Sequence, residues 1–162
     1  MARRAKPDDA GIYADRWAAI KDSVARWWPG PLLTMDAAYF RALLTSPGYV
    51  GYVSDDSRAV LLIRPSDRGV IMTEELFLWA TVPGLPVADY RALLKDLFAT
   101  WFLDARDHRG DPLCAGELPP AAPAVSQGWL NSFLPAPTTV LHDGLTLRRW
   151  QISAGLALER LS

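Results

Sequence analysis

Two adjacent carboxylates, Glu74 and Glu75, begin a short apolar and aromatic run that ends at Ala80. A carboxylate beside a cleft can act as a general base that takes the proton from an attacking nucleophile. Because consecutive residues of a strand point to opposite faces, one of the two must face a central cleft or be paired near it. The alternative is that both lie at the solvated beginning of the strand. The sequence thus makes both residues catalytic candidates and leaves both interpretations open.

The other reactive side chains form no recognisable site. His108 and His142 fall at predicted loop positions far apart in sequence and without metal-ligand spacing, so we predict no metal. The single cysteine, Cys114, cannot form an internal disulfide, and we interpret it as a small core residue rather than a reactive thiol. We see no Ser/His/Asp or Cys/His constellation and no Walker-type Gly-Lys-Ser/Thr.

The two carboxylates belong to a predicted strand that leads directly into a long helix. The run from Glu74 to Ala80 has apolar side chains at both odd and even positions, as in a central strand that is covered on both faces. Residues 82–86 read as a turn. From Val87 onward the apolar positions follow a helical repeat for about six turns, and the charged residues, Asp104 among them, lie mostly on the other face. In α/β proteins such a strand-to-helix turn usually holds anionic ligands.

Further patterns predict the remaining elements of one domain spanning residues 1–162. They are an edge strand Ala2–Ala5, an amphipathic helix from Ile12 to Trp28, a helix Met35–Leu44 capped by Thr34, strands Tyr49–Val53, Ala59–Ile63 and Leu113–Gly116, a short helix Val125–Phe133, and a terminal hairpin of Thr138–Leu141 and Leu145–Ile152.

Charge and hydropathy limit the classes of partner that the protein is expected to bind. Lys and Arg total 17 against 18 Asp and Glu, so no overall basic field favours nucleic acid or an anionic membrane. No apolar run approaches the roughly 20 residues of a membrane helix, and the first residues contain no apolar signal region. We therefore predict a soluble protein made in a reducing compartment, with no nucleic-acid or membrane partner.

The tryptophans suggest a surface for another protein. Trp27 and Trp28 are adjacent, and neighbouring helix residues face about 100° apart, so burying both together with Trp129 is difficult. A tryptophan near the surface commonly anchors a protein partner or lines a cleft. The edge strands of the terminal hairpin could also pair between subunits and form a homo-oligomer.

Four stretches, together with the order of the elements, resemble the GNAT superfamily of acetyl-CoA-dependent N-acetyltransferases. They are Arg4–Ala10, Leu43–Pro47, Glu74–Trp79, and Trp129–Pro135 with the Thr138–Trp150 hairpin. The chain is most similar to the GNAT-like proteins often encoded by bacteriophages and prophages. The resemblance implies an α/β (α+β) fold in a single GNAT-like domain, with a central, mostly antiparallel sheet flanked by helices. It also implies acetyl-CoA as cofactor, a strand carboxylate as base for the acceptor amine, and a place in the bacterial cytoplasm or a virion.

The strand-to-helix turn departs from the family pattern. Family members bind the pyrophosphate of acetyl-CoA with a loop Gln/Arg-x-x-Gly-x-Gly/Ala, whose glycines let the backbone approach and whose N–H groups point at the phosphates. The matching positions here are Leu85, Ala88 and Tyr90. Pro86 lacks an N–H donor, and Asp89 would repel a phosphate. The acetyl-CoA loop is therefore predicted to be degenerate.

Family alignment assigns the remaining site residues. The intact or vestigial cofactor site would comprise Trp79, Thr81, Val82, Leu85, Val87, Ala88, Tyr90 and Asn131. Residues 127–133, which match the last helix, lack the tyrosine that often protonates the departing thiolate.

Two hypotheses follow from these observations. The first is a non-catalytic protein that binds other proteins, bacteriophage structural proteins included, and needs no cofactor. The second is an active N-acetyltransferase that uses acetyl-CoA through an altered loop and a strand carboxylate as general base.

Overall fold

The computed structural model of the chain describes residues 1–25, 34–66, 73–109, 113–118, 138–142 and 145–153. The strands are β1 (Ala2–Arg4), β2 (Val50–Ser54), β3 (Ala59–Ser66), β4 (Thr73–Thr81), β5 (Leu113–Leu118), β6 (Thr138–His142) and β7 (Leu145–Ser153). The helices are α1 (Ala10–Ala25), preceded by a single 3-10 turn, α2 (Ala37–Thr45) and α3 (Val87–His108).

The described strands form one mixed sheet in the order β1-β2-β3-β4-β5-β7-β6. Strands β4 and β5 are parallel neighbours, whereas the other neighbouring pairs are antiparallel. Helices cover both faces of the sheet, as the sequence predicts. This α/β arrangement confirms the predicted class: a mostly antiparallel sheet flanked by helices.

Alternation along β3 explains why both faces are buried. Leu61 and Ile63 pack with α3, whereas Val60 and Leu62 pack on the opposite face with α1 and α2. Apolar residues at both parities let one strand contribute to two cores. The sheet is therefore the middle layer of three.

Helix α1 is fixed to the sheet by a buried tyrosine. The Tyr13 hydroxyl lies 2.9 Å from the carbonyl oxygens of Tyr52 and Leu61 and can donate to either. A Cβ on Gly51 would come within 2.4 Å of that hydroxyl oxygen, so the close approach requires glycine there. This anchor also sets the position of the later turns of α1.

The structure corrects one helix boundary. Helix α2 begins at Ala37 and is capped by Asp36, whose Oδ1 accepts from the Tyr39 N–H at 2.9 Å, instead of beginning at Met35 after a Thr34 cap. Aspartate is the stronger of the two capping residues. The predicted helix at residues 125–133 lies outside the described residues. None of the described helices is long and apolar enough to cross a membrane.

Candidate functional site

Strands β4 and β5 pair at their beginnings and then part. Residues 73–75 of β4 pair with residues 113–115 of β5. Beyond them, β4 stays beside β3 as far as Thr81, and β5 stays beside β7 as far as Leu118. A gap therefore opens between the two strands in the middle of the sheet.

A β-bulge lies where the gap begins. In the register between β3 and β4, Leu62 pairs with Leu78 but Ile63 pairs with Leu76, so Phe77 is the extra residue. Phe77 and Leu78 consequently both pack towards α1 and α2, although they are consecutive. The bulge disrupts the β3–β4 ladder locally. On its other edge, the backbone of β4 beyond Glu75 has no pairing with the described residues of β5.

A mostly apolar cavity of about 280 Å³ lies at the end of β4. The β4–α3 turn, the first turn of α3 and the second half of α1 line it with Ala19, Ile20, Thr81, Val82, Pro83, Gly84, Leu85, Val87 and Tyr90. Gly84 has a φ of +74°, a left-handed conformation that glycine adopts without strain. The Thr81 hydroxyl donates to the Val82 carbonyl at 3.1 Å, so this polar group is already partnered.

Arg58, Asp56 and Asp89 form a charged cluster at the first turn of α3. We call it the N-terminal cluster, after the N-terminal end of α3. The Nε of Arg58 donates to Asp56 Oδ2 at 2.6 Å, and its Nη1 lies 3.6 Å from Asp89 Oδ2. Hydrogen bonds from Arg58 and Ser54 lower the pKa of Asp56 to about 2. Asp89 stands in the first turn, where the positive end of the helix dipole favours an anion. The protein therefore supplies its own carboxylate at this helix end.

Glu74 is held from the side of α3. Its Oε2 accepts hydrogen bonds from the indole N–H of Trp101 at 2.6 Å and from Arg109 Nη2 at 3.2 Å, and its Oε1 accepts one from Arg109 Nε. The Glu74 side chain is 12% exposed. Because both oxygens already accept hydrogen bonds, Glu74 could take a substrate proton only after this arrangement changed.

Arg109 connects Glu74 to a second carboxylate and to β2. Its Nη1 donates to Asp104 Oδ2 at 2.8 Å and its Nη2 to the Tyr52 hydroxyl at 3.0 Å. The Tyr52 hydroxyl donates to Asp104 Oδ2 at 2.7 Å. These four side chains are the C-terminal cluster. They tie the end of α3 to β2 and β4.

Burial and hydrogen bonding act in opposite directions on the pKa of Asp104. Burial raises the pKa of this carboxyl. The hydrogen bonds from Tyr52 and Arg109 together lower it by more than burial raises it, so the net pKa lies below the ordinary value. Burial raises the pKa of the Tyr52 hydroxyl, so it stays protonated and can donate at neutral pH. The helical repeat predicts that the charged residues of α3, Asp104 among them, lie mostly on the face away from the apolar stripe. Asp104 is an exception, because its carboxylate accepts hydrogen bonds from Tyr52 and Arg109.

Several solved structures of acetyltransferases have a similar arrangement of strands and helices. A spermidine N-acetyltransferase from Vibrio cholerae matches with a TM-score of 0.63 at 10% identity, over 100% of this chain and 99% of that one. The acetyltransferase of GNAT family from Streptococcus pneumoniae matches with a TM-score of 0.59 at 10% identity, over 94% and 98%. The chain has the GNAT fold.

A GNAT-fold structure from Arabidopsis thaliana, NAA60 in complex with acetyl-CoA, matches with a TM-score of 0.60 at 8% identity, over 94% of this chain and 97% of that one. The likeness is one of fold, since about one residue in ten is identical. No family model matches the chain, and no curated protein sequence does.

The structure brings together most of the predicted cofactor residues that it describes. Five of them line the cavity: Thr81, Val82, Leu85, Val87 and Tyr90. Ala88 is exposed on α3 and does not line it. Trp79 instead packs edge-on against Phe98 in the core beneath α3. The cavity is therefore where the predicted loop residues converge.

Several predicted site residues lie outside the described part of the chain. They are Asn131, Trp27, Trp28 and Trp129. For Glu75 the structure describes the backbone, which pairs with Arg64 of β3 and Ala115 of β5, but not the side chain. Among the described residues, no three His, Cys, Asp or Glu side chains group as a metal site would require. These predictions therefore stay predictions.

Sequence reasoning missed both charged clusters. The sequence places Arg58 in a predicted hairpin loop and Arg109 just after the predicted long helix. Neither residue belongs to a recognisable motif. The available signal for the C-terminal cluster was weak: Asp104 follows Trp101 by three positions, which places the two on neighbouring parts of one helix face. No local pattern connects either residue to Tyr52 or Glu74.

Proposed function

We propose that this protein uses the GNAT fold without binding acetyl-CoA through its phosphates, and that it acts as a non-catalytic protein-binding protein. The observation that carries the proposal is the N-terminal cluster. One guanidinium there faces two carboxylates, Asp56 and Asp89, which leaves a net negative charge beside the first turn of α3. An incoming pyrophosphate would have to displace Asp89 or tolerate its charge.

The backbone of the turn adds to this argument. Pro86 precedes the first residue of α3 and has no N–H to offer a phosphate. Leu85 lines the apolar cavity and supplies no positive charge or amide. The turn therefore favours an apolar contact over a phosphate contact.

Calorimetric titration with acetyl-CoA and with free coenzyme A tests the proposal. We expect a Kd weaker than about 1 mM for both ligands. Replacing Asp89 by Asn together with Leu85→Arg should strengthen coenzyme A binding, because the helix end then meets the phosphates without a competing carboxylate. The matched control is Asp107→Asn, which removes an equally exposed charge near the other end of α3 and should change nothing. Micromolar binding by the unaltered protein would overturn the proposal.

An active N-acyltransferase is the second candidate, and the gap between β4 and β5 favours it. In this reaction the acceptor amine attacks the thioester carbonyl, a carboxylate takes the amine proton, and the thiolate leaves with a proton as the amide forms. Backbone N–H groups of β4 at the gap would stabilise the tetrahedral oxyanion. Because Glu74 is occupied by Trp101 and Arg109, Glu75 is the stronger candidate for the base.

Thiol release from acetyl-CoA in the presence of polyamine or peptide amine acceptors tests this candidate. If the protein is an enzyme, Glu75→Gln should lower the transfer rate roughly 100-fold or more, the usual contribution of a general base. Glu74→Gln should affect chiefly stability. No transfer above the uncatalysed rate would remove the candidate.

The partner surface rests on the three tryptophans of the prediction, Trp27, Trp28 and Trp129. Acrylamide quenching of tryptophan emission should be reduced in a Trp27→Phe/Trp28→Phe variant if at least one of the pair is solvent-exposed. Unchanged quenching would argue against this surface. Association with bacteriophage structural proteins is part of the proposal through the resemblance, and co-sedimentation with purified virions would test it.

A further inference from the structure

Strand β4 has an open edge on the side of β5. Its residues 73–75 pair with β5, and beyond Glu75 none of the described strands pairs with β4 on this side. On the opposite side β4 stays paired with β3 as far as Thr81. The N–H and C=O groups of an open strand edge are a template for pairing with another chain. Residues 76–81 therefore form an edge to which a further strand can add.

The hydrogen bonds to β3 show which backbone groups of β4 point into the gap. The Val82 N–H donates to the Arg58 carbonyl oxygen at 2.8 Å, one step beyond the last pair of the two strands. In an antiparallel ladder, hydrogen-bonded and non-hydrogen-bonded pairs alternate. Thr81 thus occupies a non-hydrogen-bonded position, and so does Trp79 two residues before it. The N–H and C=O groups of both residues consequently point away from β3, towards the gap.

We propose that an extended segment of a partner protein adds to this edge as a strand and hydrogen-bonds with Trp79 and Thr81. These two residues are about 6.8 Å apart along the strand, and each presents one donor and one acceptor. Another extended backbone presents the complementary groups at the same spacing, which is how peptides bind by strand addition. The inference rests on the proposed protein-binding function, and it names the site and the kind of segment that is bound.

The apolar cavity at the end of β4 defines one side chain of this segment. Thr81 lines the cavity, so a strand that follows β4 as far as Thr81 reaches it. Val82, Leu85 and Val87 give the cavity an apolar surface. An apolar cavity of about 150 Å³ already holds a benzene ring, and this one has a volume of about 280 Å³. We therefore expect a large aliphatic or aromatic side chain where the segment passes the end of β4.

The N-terminal cluster favours a cationic segment. Arg58, whose carbonyl oxygen accepts from the end of β4, faces Asp56 and Asp89, so the cluster has a net negative charge. The backbone of an added strand would lie about 10 Å from that of β3, which is two strand spacings. This distance is about one Debye length at physiological salt. The cluster therefore attracts a Lys or Arg of the segment and disfavours Asp or Glu.

Selection from random peptides of about eight residues, which span residues 76–81 with a margin at each end, supplies the probe. We expect the selected peptides to share a large apolar residue and a Lys or Arg, and to bind with a Kd on the order of 10–100 μM. Asp89→Asn should weaken their binding roughly two- to fivefold at low salt. The matched control is Asp107→Asn, which removes an equally exposed charge near the other end of α3 and should change nothing.

Amide hydrogen exchange locates the bound peptide on the strand. The amides of Leu78 and Ala80 point towards β3 by the same alternation, so they should be protected in the free protein. The amides of Trp79 and Thr81 should exchange faster than these in the free protein. Binding of the best selected peptide should slow their exchange by roughly tenfold or more.

Thr81→Pro removes an N–H that faces the gap without removing a hydrogen bond to β3. It should weaken binding of the selected peptide roughly tenfold, whereas Thr81→Ala, which keeps the N–H, should weaken it less than about threefold. If Thr81→Pro does not fold, the exchange of the Trp79 and Thr81 amides in the unaltered protein still decides whether a strand adds.

Three results would overturn the inference. They are no enrichment of binding peptides, selected peptides that protect neither Trp79 nor Thr81, and protection of both amides already in the free protein. The last result would mean that this chain or a second copy covers the edge. Titration with coenzyme A separates these outcomes from the proposed function. Weak coenzyme A binding without strand addition removes only this inference, whereas micromolar coenzyme A binding overturns the proposed function whatever the peptides do.

Discussion

The two charged clusters lie at opposite ends of α3 and have the same charges, one arginine and two carboxylates. They differ in burial. The charged side chains of the C-terminal cluster are 12–21% exposed, whereas those of the N-terminal cluster are 40–51% exposed. The buried cluster also includes the hydroxyl of Tyr52 and receives the indole N–H of Trp101.

Burial, and not charge composition, decides what such a cluster contributes. Removing one partner from a buried ion pair leaves an uncompensated charge in a poorly polarisable environment, which is costly. The same removal at the surface is compensated by water and salt. We therefore infer that the C-terminal cluster stabilises the fold. The N-terminal cluster chiefly sets the electrostatic potential at the first turn of α3.

The largest expected effect is that of Arg109→Met. This substitution keeps the apolar stem but leaves Glu74 and Asp104 without their shared cation, and we expect the free energy of unfolding to fall by about 3–5 kcal/mol. Urea unfolding followed by circular dichroism measures it. A loss below about 1 kcal/mol would show that this cluster behaves like a surface pair.

Tyr52→Phe removes one hydroxyl from the buried cluster and keeps the ring. Asp104 loses a donor and Arg109 loses an acceptor, so we expect a loss of about 1–2 kcal/mol. The control is Tyr39→Phe, since the hydroxyl of half-buried Tyr39 makes no hydrogen bond with the described residues. Equal effects of the two substitutions would mean that the Tyr52 hydroxyl contributes nothing specific.

Acid should weaken the fold through carboxyls whose pKa is lowered in the folded state, among them Asp104, Asp56 and Asp9. The ordinary carboxyl pKa is 3.8, and the pKa of these groups is lower in the folded protein, so on acidification the unfolded chain binds protons first. The stabilisation that these carboxylates provide is therefore complete above the ordinary pKa. It is lost as the pH falls through their folded-state pKa values. Unfolding at about pH 6 and about pH 3 measures the loss. Asp104→Asn should flatten this pH dependence more than Asp56→Asn does, because Asp56 is 44% exposed and screened. The reverse order would contradict our assignment.

The smallest expected effect is that of Arg58→Met. It removes the cation of the exposed cluster, and we expect a change within about 1 kcal/mol. The same urea unfolding experiment, run beside Arg109→Met, measures it. If both substitutions cost about 3 kcal/mol or more, burial would not distinguish the two clusters.

Much of the fold was predictable because it depends on local periodicity. Side-chain spacing predicts the apolar run of β4 and the start of α3 at Val87, and the Pro and Gly residues predict the turn at residues 82–86. The structure confirms all three. The hairpin of β6 and β7 was predicted from two strand patterns around Asp143-Gly144, and its pairing is confirmed as well. These signals act over a few residues, so no tertiary information was needed.

The arrangement of charges was not predictable, because its partners are distant in the chain. Glu74 meets Trp101 and Arg109 across 27 and 35 positions, and Tyr52 meets Asp104 across 52. The helical pattern alone places the charged residues of α3, Asp104 among them, mostly on the face away from the apolar stripe. Only the packing of α3 against the sheet shows that Asp104 accepts hydrogen bonds from Tyr52 and Arg109.

The order of strands and helices and the altered turn before α3 follow from the sequence alone, because backbone propensity and hydrophobic spacing are properties of neighbouring residues. The place where β4 and β5 part, and the hydrogen bonds that occupy Glu74 and Asp104, depend on how distant segments pack. Charge pairing and cavity shape depend on which distant surfaces pack together and on how far they exclude water, and neither is recorded in local spacing.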